Sequence, residues 1–127
     1  MDKRYTVCTS LEFAAAHVLH GYDGPCARLH GHNWRLEVEV VARDLDPVGM
    51  GMDFREIRAA ANTIVEQLDH RHLNEIPPFD RVNPTAENIA AHVYARLTCM
   101  LDSDRAWVQS VTIWEADRSY VRYTERV

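Results

Sequence analysis

The chain has 127 residues, 46% apolar and 26% charged. That is enough apolar side chain for one core and excludes disorder as the main state. Fourteen basic against 19 acidic side chains give a formal charge of −5, the wrong sign for a general nucleic-acid binder. No apolar run approaches the roughly 20 residues of a membrane span. Met1-Asp2-Lys3-Arg4 leads into polar sequence rather than a signal peptide. Three cysteines without scaffold spacing argue against a disulfide framework. The expectation is one cytoplasmic domain over residues 1–127.

Residues 5 to 17 alternate, with Tyr5, Val7, Thr9, Leu11, Phe13 and Ala15 on one face and His17 at its end. A period of two predicts a strand. Turn residues Gly21-Tyr22-Asp23-Gly24-Pro25 follow. Residues 30 to 41 alternate again. His30, His32, Trp34, Leu36, Val38 and Val40 point one way, and Asn33, Arg35, Glu37 and Glu39 the other. This is the pattern of a half-buried antiparallel strand, paired with the first.

A helix is expected from Asp53, where Asp53 and Glu56 fit a capping box and Met52 with Ile57 a hydrophobic staple. Its stripe is Ile57, Ala60, Ala61, Ile64 and Leu68, and it gives out near Asp69-His70. Residues 71 to 82 read as irregular. A second helix starts around Asn83-Pro84-Thr85, with Ala86, Ile89, Ala90, Val93 and Leu97 as its stripe. A strand over 106 to 115 places Trp107, Val111 and Ile113 on one face and Glu115 at the end of that face. Glu115-Ala116-Asp117-Arg118 reads as a hairpin turn, and Tyr120 to Val127 as a last strand. The order ββααββ predicts an α+β fold, a four-stranded antiparallel sheet with two helices on one face.

Seven histidines are the compositional oddity, and four fall between residues 17 and 32. Positions i and i+2 of a strand share a face, so His30 and His32 stand side by side. His17, ending the neighbouring strand face, can supply a third nitrogen. Three protein ligands with one open position is the arrangement of a catalytic zinc site. Cys26, four residues before the pair, is either a fourth ligand or an unligated thiolate made reactive by a nearby cation. Cys8 and Cys99 read as packing cysteines.

Leu68-Asp69-His70 offers a carboxylate that can orient an imidazole, though Asp69 also suits a plain helix end. His72 and His92 read as solvated or helix-face histidines. Glu115 ends an apolar strand face and could accept two parallel N–H donors from a flat amidine edge. His30-x-His32 followed by Glu37 has the look of a cupin metal motif. Alternation rejects it, because Glu37 lies on the opposite face from the histidines, and two central helices do not suit a jelly roll.

Together these segments resemble the 6-pyruvoyltetrahydropterin synthase superfamily, and most closely its bacterial 6-carboxy-5,6,7,8-tetrahydropterin synthase branch of queuosine biosynthesis. The resemblance spans nearly the whole chain. It rests on Phe13-Ala14-Ala15-Ala16-His17, Cys26-x3-His30-Gly31-His32, Met52-Asp53-Phe54, Leu68-Asp69-His70-x2-Leu73-Asn74, Asn83-Pro84-Thr85-Ala86-Glu87 and Trp114-Glu115, in the family's order. The three residues between Cys26 and His30 resemble the carboxy branch; Asn33 leans toward the pyruvoyl type.

The resemblance implies a tunnelling fold (T-fold) whose ββααββ subunits assemble into barrels, usually as a homohexamer, a dimer of trimers with shared active sites. It implies His17, His30 and His32 as Zn2+ ligands, Cys26 as the general base, Asp69 and His70 as an acid/base relay and Glu115 as the anchor of a pterin ring. Thr85 would be a minor substrate contact from a neighbouring subunit. The implied substrate is a pterin triphosphate, 7,8-dihydroneopterin triphosphate. The net charge does not favour a triphosphate, so local cations must hold it, and 13 of the 14 basic residues are arginine. Arg28 is one such candidate. A pyruvoyl synthase and a non-catalytic pterin-binding module of the same fold are the alternatives.

Overall fold

Alternation over the first two predicted strands closes into a hairpin in a computed structural model that describes residues 3–126. Strand β1 (Tyr5–His17) pairs antiparallel with β2 (His30–Ala42), in register from Tyr5 opposite Ala42 to His17 opposite His30. Helices α1 (Phe54–Leu68) and α2 (Ala86–Leu101) follow. Strand β4 (Ala106–Ala116) pairs antiparallel with β2, and β5 (Ser119–Tyr123) with β4. The T-fold order is thus present in one subunit.

The sheet has five strands rather than four, in the order β3-β1-β2-β4-β5. The extra strand, β3 (Arg71–His72), pairs parallel with Ala15 and Ala16 of β1. Two residues cannot carry a period, so this segment reads as irregular in sequence. A 3₁₀ turn, Leu73–Glu75, continues it and buries Leu73 completely.

One sheet face and both helices enclose the core. Trp34, Leu36, Val38 and Val40 of β2 meet Ile57, Ala61, Ile64 and Leu68 of α1 and Ile89, Ala90, Val93 and Leu97 of α2, all fully or nearly fully buried. Each large side chain among them contributes about 1.5–3 kcal/mol of transfer free energy. Asp53 caps α1 by accepting from Arg55 N at 2.8 Å. The Asp53 carboxylate also meets the Arg55 guanidinium at 3.2 Å, so arginine rather than Glu56 answers the cap. Thr85 caps α2 by accepting from Asn88 N, which puts Pro84 outside the helix rather than in its first turn.

Two register shifts change side-chain directions. Between β2 and β4, Glu39 faces Ser110 and Val40 faces Val108, so Gln109 is an extra residue. A one-residue bulge reverses the alternation. Ala106 and Val108 therefore point into the core with Val111 and Ile113. Trp107, expected beside them, is turned out of the core, where the guanidiniums of Arg4, Arg43 and Arg126 stand 5.2–5.8 Å from its ring. Between β4 and β5, Trp114 faces Tyr120 and Ala116 faces Ser119, so Glu115 belongs to the strand and only Asp117-Arg118 turn.

The last strand ends at Tyr123, and Val127 lies outside the described residues. Cys8 and Cys99 are exposed rather than packed; Cys8 occupies the strand parity opposite to Phe13 and Ala15. His92 is half-buried, its ring edge-on to Phe79 at 5.3 Å. Among the described residues no helix is long and apolar enough to cross a membrane.

Candidate metal centre and active site

The pairing of His17 with His30 fixes the geometry of the site. Ala15 faces His32 one step along, so three imidazoles converge where the helix-side face of the sheet runs out beyond the core. Buried Trp34 floors them, its ring 5.0 Å from that of His17 and 5.1 Å from that of His32. Its indole N–H donates to Ala15 O at 3.1 Å. Glu115 closes the group from β4. One ligand atom from each of His17, His30, His32 and Glu115 lies within 4.8 Å of the others.

Two backbone carbonyls set the tautomers. His17 Nδ1 donates to Pro84 O at 2.7 Å, and His30 Nδ1 donates to Arg28 O at 2.7 Å. A carbonyl can only accept, so each Nδ1 carries a proton and each ring turns its Nε2 inward. Those two Nε2 atoms face each other at 2.9 Å. At that distance the two atoms share either a proton, as an N–H···N hydrogen bond, or a metal cation.

His32 Nε2 is buried and has no hydrogen-bond partner among the described residues. Glu115 Oε1 is 3.1 Å away but out of line for a hydrogen bond. Burial lowers the pKa of His17 and His32 from the ordinary 6.5, although the Glu115 charge and, for His17, the Pro84 bond oppose it. Two imidazoles oriented by backbone carbonyls and a third with an unpartnered Nε2 form a donor set that suits a divalent transition metal. These residues fit a metal ion.

Cys26 sits half-buried in the 3₁₀ turn Pro25–Ala27 and is not a member of the four-residue cluster. Its carbonyl accepts from Leu19 N at 3.2 Å, tying the turn to the residues just after His17. Thr85 stands beside Pro84, whose carbonyl holds His17.

Asp69 ends α1 and accepts from Ala14 N at 2.9 Å, with His70 Nδ1 at 3.0 Å from the same oxygen. The Ala14 bond first, and His70 second, hold the Asp69 carboxyl below the usual carboxylate range. His70 adopts φ of 58°, the left-handed region, and its side chain is 82% exposed. It walls an open groove of roughly 500 Å³ with Ala14, Ala15, Ala16, Gly31, His32, Asn33, Arg71 and His72. Ala14, Ala16, Gly31 and Asn33 have the strand parity opposite to the metal-facing histidines. The dyad is well formed and is not a member of the four-residue cluster, although His32 of that cluster lines the same groove.

Glu37 lies on the far face, where it bonds the Trp114 indole and Arg35. It is away from the histidines, as alternation requires. The two tautomer-setting carbonyls and the Trp34 floor were not named from sequence as site elements. Only Trp34 had a signal there, sharing parity with His30 and His32.

The α+β fold and its inward histidine group are those of a candidate metal-binding enzyme, and sequence comparison gives the family. Residues 6–126 match the family described as 6-pyruvoyl tetrahydropterin synthase. The chain is 34% identical over 124 residues to the 6-carboxy-5,6,7,8-tetrahydropterin synthase of a Synechocystis species, covering 94% of this chain and 92% of that one. It is 37% identical over 89 residues to the dihydroneopterin monophosphate aldolase of Pyrococcus furiosus, covering 70% and 72%. The solved 6-pyruvoyl tetrahydropterin synthase of Caenorhabditis elegans superposes with a TM-score of 0.84 at 26% identity, covering 96% of each chain. The chain belongs to the 6-pyruvoyl tetrahydropterin synthase family and is an enzyme of it. The names of these relatives are those of pterin-converting enzymes.

Proposed function

We propose that the chain is a zinc-dependent lyase that converts 7,8-dihydroneopterin triphosphate and one water to 6-carboxy-5,6,7,8-tetrahydropterin in queuosine biosynthesis, releasing acetaldehyde and triphosphate. The observation that carries this reading is the convergence of His17, His30 and His32, two of them tautomer-locked with Nε2 inward, in a chain aligned along its length with a named carboxy synthase. His17, His30 and His32 hold the zinc. When bound, zinc supplies Lewis acidity to oxygens of the substrate side chain.

The other steps belong to the protein's own groups. Cys26, on the Pro25–Ala27 turn, takes a proton from the substrate side chain as general base. His70, oriented by Asp69, moves another. Glu115 accepts the N–H donors of the pterin's 2-amino-4-oxo edge and holds the ring so that the reacting carbon stays near the metal.

The exposed dyad supports a shared site in a cytoplasmic homohexamer, built as a dimer of trimers. On the outer edge of β1, β3 pairs with Ala15 and Ala16, and Asp69 and His70 take up Ala14 N and O. The rest of that edge is open to a strand of another copy. Asp69, His70 and Thr85 would then serve the metal centre of a neighbouring subunit.

Product identification tests the assignment. Purified protein, loaded with zinc and given 7,8-dihydroneopterin triphosphate, is expected to yield the carboxy-pterin mass and acetaldehyde. A pyruvoyl or hydroxymethyl product would place it in another branch of the family. Intact substrate would make it a binding module.

A further inference from the structure

Between the first and second histidine ligands runs a segment of 12 residues, 18 to 29. It carries Cys26 and has no regular structure except the short turn Pro25–Ala27. Such a connection has little to hold it in one conformation. Two asparagines supply what the backbone lacks. Asn74 Oδ1 accepts from Val18 N at 2.9 Å, and Asn74 Nδ2 donates to Val18 O at 2.9 Å. Asn83 does the same for His20, accepting from its N at 2.9 Å and donating to its O at 2.7 Å. Each side-chain amide satisfies both polar groups of one residue, as a paired strand would.

The clamps are themselves anchored. Asn74 lies in the 3₁₀ turn whose Leu73 is wholly buried. Asn83 O accepts from Asn88 Nδ2 of α2 at 2.9 Å, and the next residue, Pro84, holds His17 Nδ1. Between the two clamped residues, Leu19 N reaches Cys26 O. One rigid frame, fixed to α2 and to the turn after β3, thus determines where His17 ends and where the Cys26 turn begins. Neither asparagine is near enough in sequence to His17 or Cys26 to act on them locally.

We infer that Asn74 and Asn83 are positioning residues of the metal centre, holding the Val18–His20 main chain so that His17 meets His30 and His32 and Cys26 is presented beside them. The inference rests on the metal reading above. Partners that orient ligands without touching the metal typically matter 10–100-fold in its affinity.

Cobalt titration of metal-free protein against a competing chelator, read by its visible absorption, measures this without turnover. Asn74→Ala and Asn83→Ala are expected to bind cobalt about 10–100-fold more weakly. In amide exchange by NMR, Val18 should lose protection in the first variant and His20 in the second. Asn74→Asp and Asn83→Asp keep the acceptor and lose the donor, and should fall between. If an alanine variant does not fold, the aspartate pair decides. Asn62→Ala on the exposed face of α1, where Asn62 bonds only Glu66, should match the wild type. Folded clamp variants with wild-type cobalt affinity, within twofold, overturn the inference. A wild type that takes up no stoichiometric cobalt removes the metal reading itself, and this inference with it.

Discussion

Glu115→Gln separates two roles that one carboxylate could fill. Its Oε1 lies 3.1 Å from His32 Nε2 and 3.6 Å from His17 Nε2, and the side chain is 33% exposed. It can therefore turn between the histidine group and a flat ligand edge. As an anchor it accepts two N–H donors, each charge-assisted bond worth about 1.5–3 kcal/mol. Glutamine keeps one acceptor, now neutral, and turns an NH₂ against the second donor. The expected loss is about 3 kcal/mol, or roughly a hundredfold in kcat/KM. Zinc content should stay at one per subunit, because three imidazoles remain. Steady-state kinetics with dihydroneopterin triphosphate and metal analysis of the same preparation measure both quantities. A variant that loses zinc while its loaded fraction keeps the wild-type KM would refute the reasoning and make Glu115 a fourth ligand.

Four further outcomes are expected. His32→Ala should lose bound zinc; full occupancy by metal analysis would remove His32 from the ligand set. Cys26→Ala should keep its zinc and lose turnover by roughly 10²–10⁴-fold, the usual worth of a positioned base, whereas joint loss of zinc and activity would make Cys26 a ligand. Co-refolded Cys26→Ala and His70→Ala subunits should regain part of the activity that each lacks alone. Mixed oligomers as inactive as their parents would confine the dyad to its own chain. His92 has its pKa lowered from 6.5 by burial first and by Arg96 second. The unfolded chain then binds a proton on acidification that the folded chain refuses, so stability contributed by neutral His92 is full above pH 6.5 and falls as pH drops toward the lowered value. His92→Gln should therefore lose less stability than the wild type in denaturant melts between pH 7.5 and 5.5; equal losses would show that His92 does not titrate against the fold.

Local repetition made much of this molecule legible in its sequence. A period of two in residues 5–17 and 30–41 recurs as β1 and β2, since a half-buried strand must alternate. The helix stripes recur, and the cap at Asp53 stands where a residue of that type can satisfy free N–H groups. The same alternation put His17, His30 and His32 on one face and Glu37 on the other, and the structure gathers the three with Glu115.

Sequence alone determined those directions because each depends on neighbours two to four residues away. Tertiary structure decided everything that depends on an insertion in register or a contact across the chain. Gln109 as an extra residue turned Trp107 out of the core, and no period records an extra residue in one strand of a pair. The two residues of β3 became a strand only because β1 offered a free edge. Cys8 and Cys99 resembled core residues in composition, but their places on strand and helix face solvent. The tautomers of His17 and His30 were set by carbonyls of Pro84 and Arg28, and the segment between them by Asn74 and Asn83. A backbone carbonyl has no residue type, and a clamp more than 50 residues away leaves no pattern in its partner. The physical reason is the same in each case: side-chain direction is local, whereas register and hydrogen-bond partners exist only once distant segments have met.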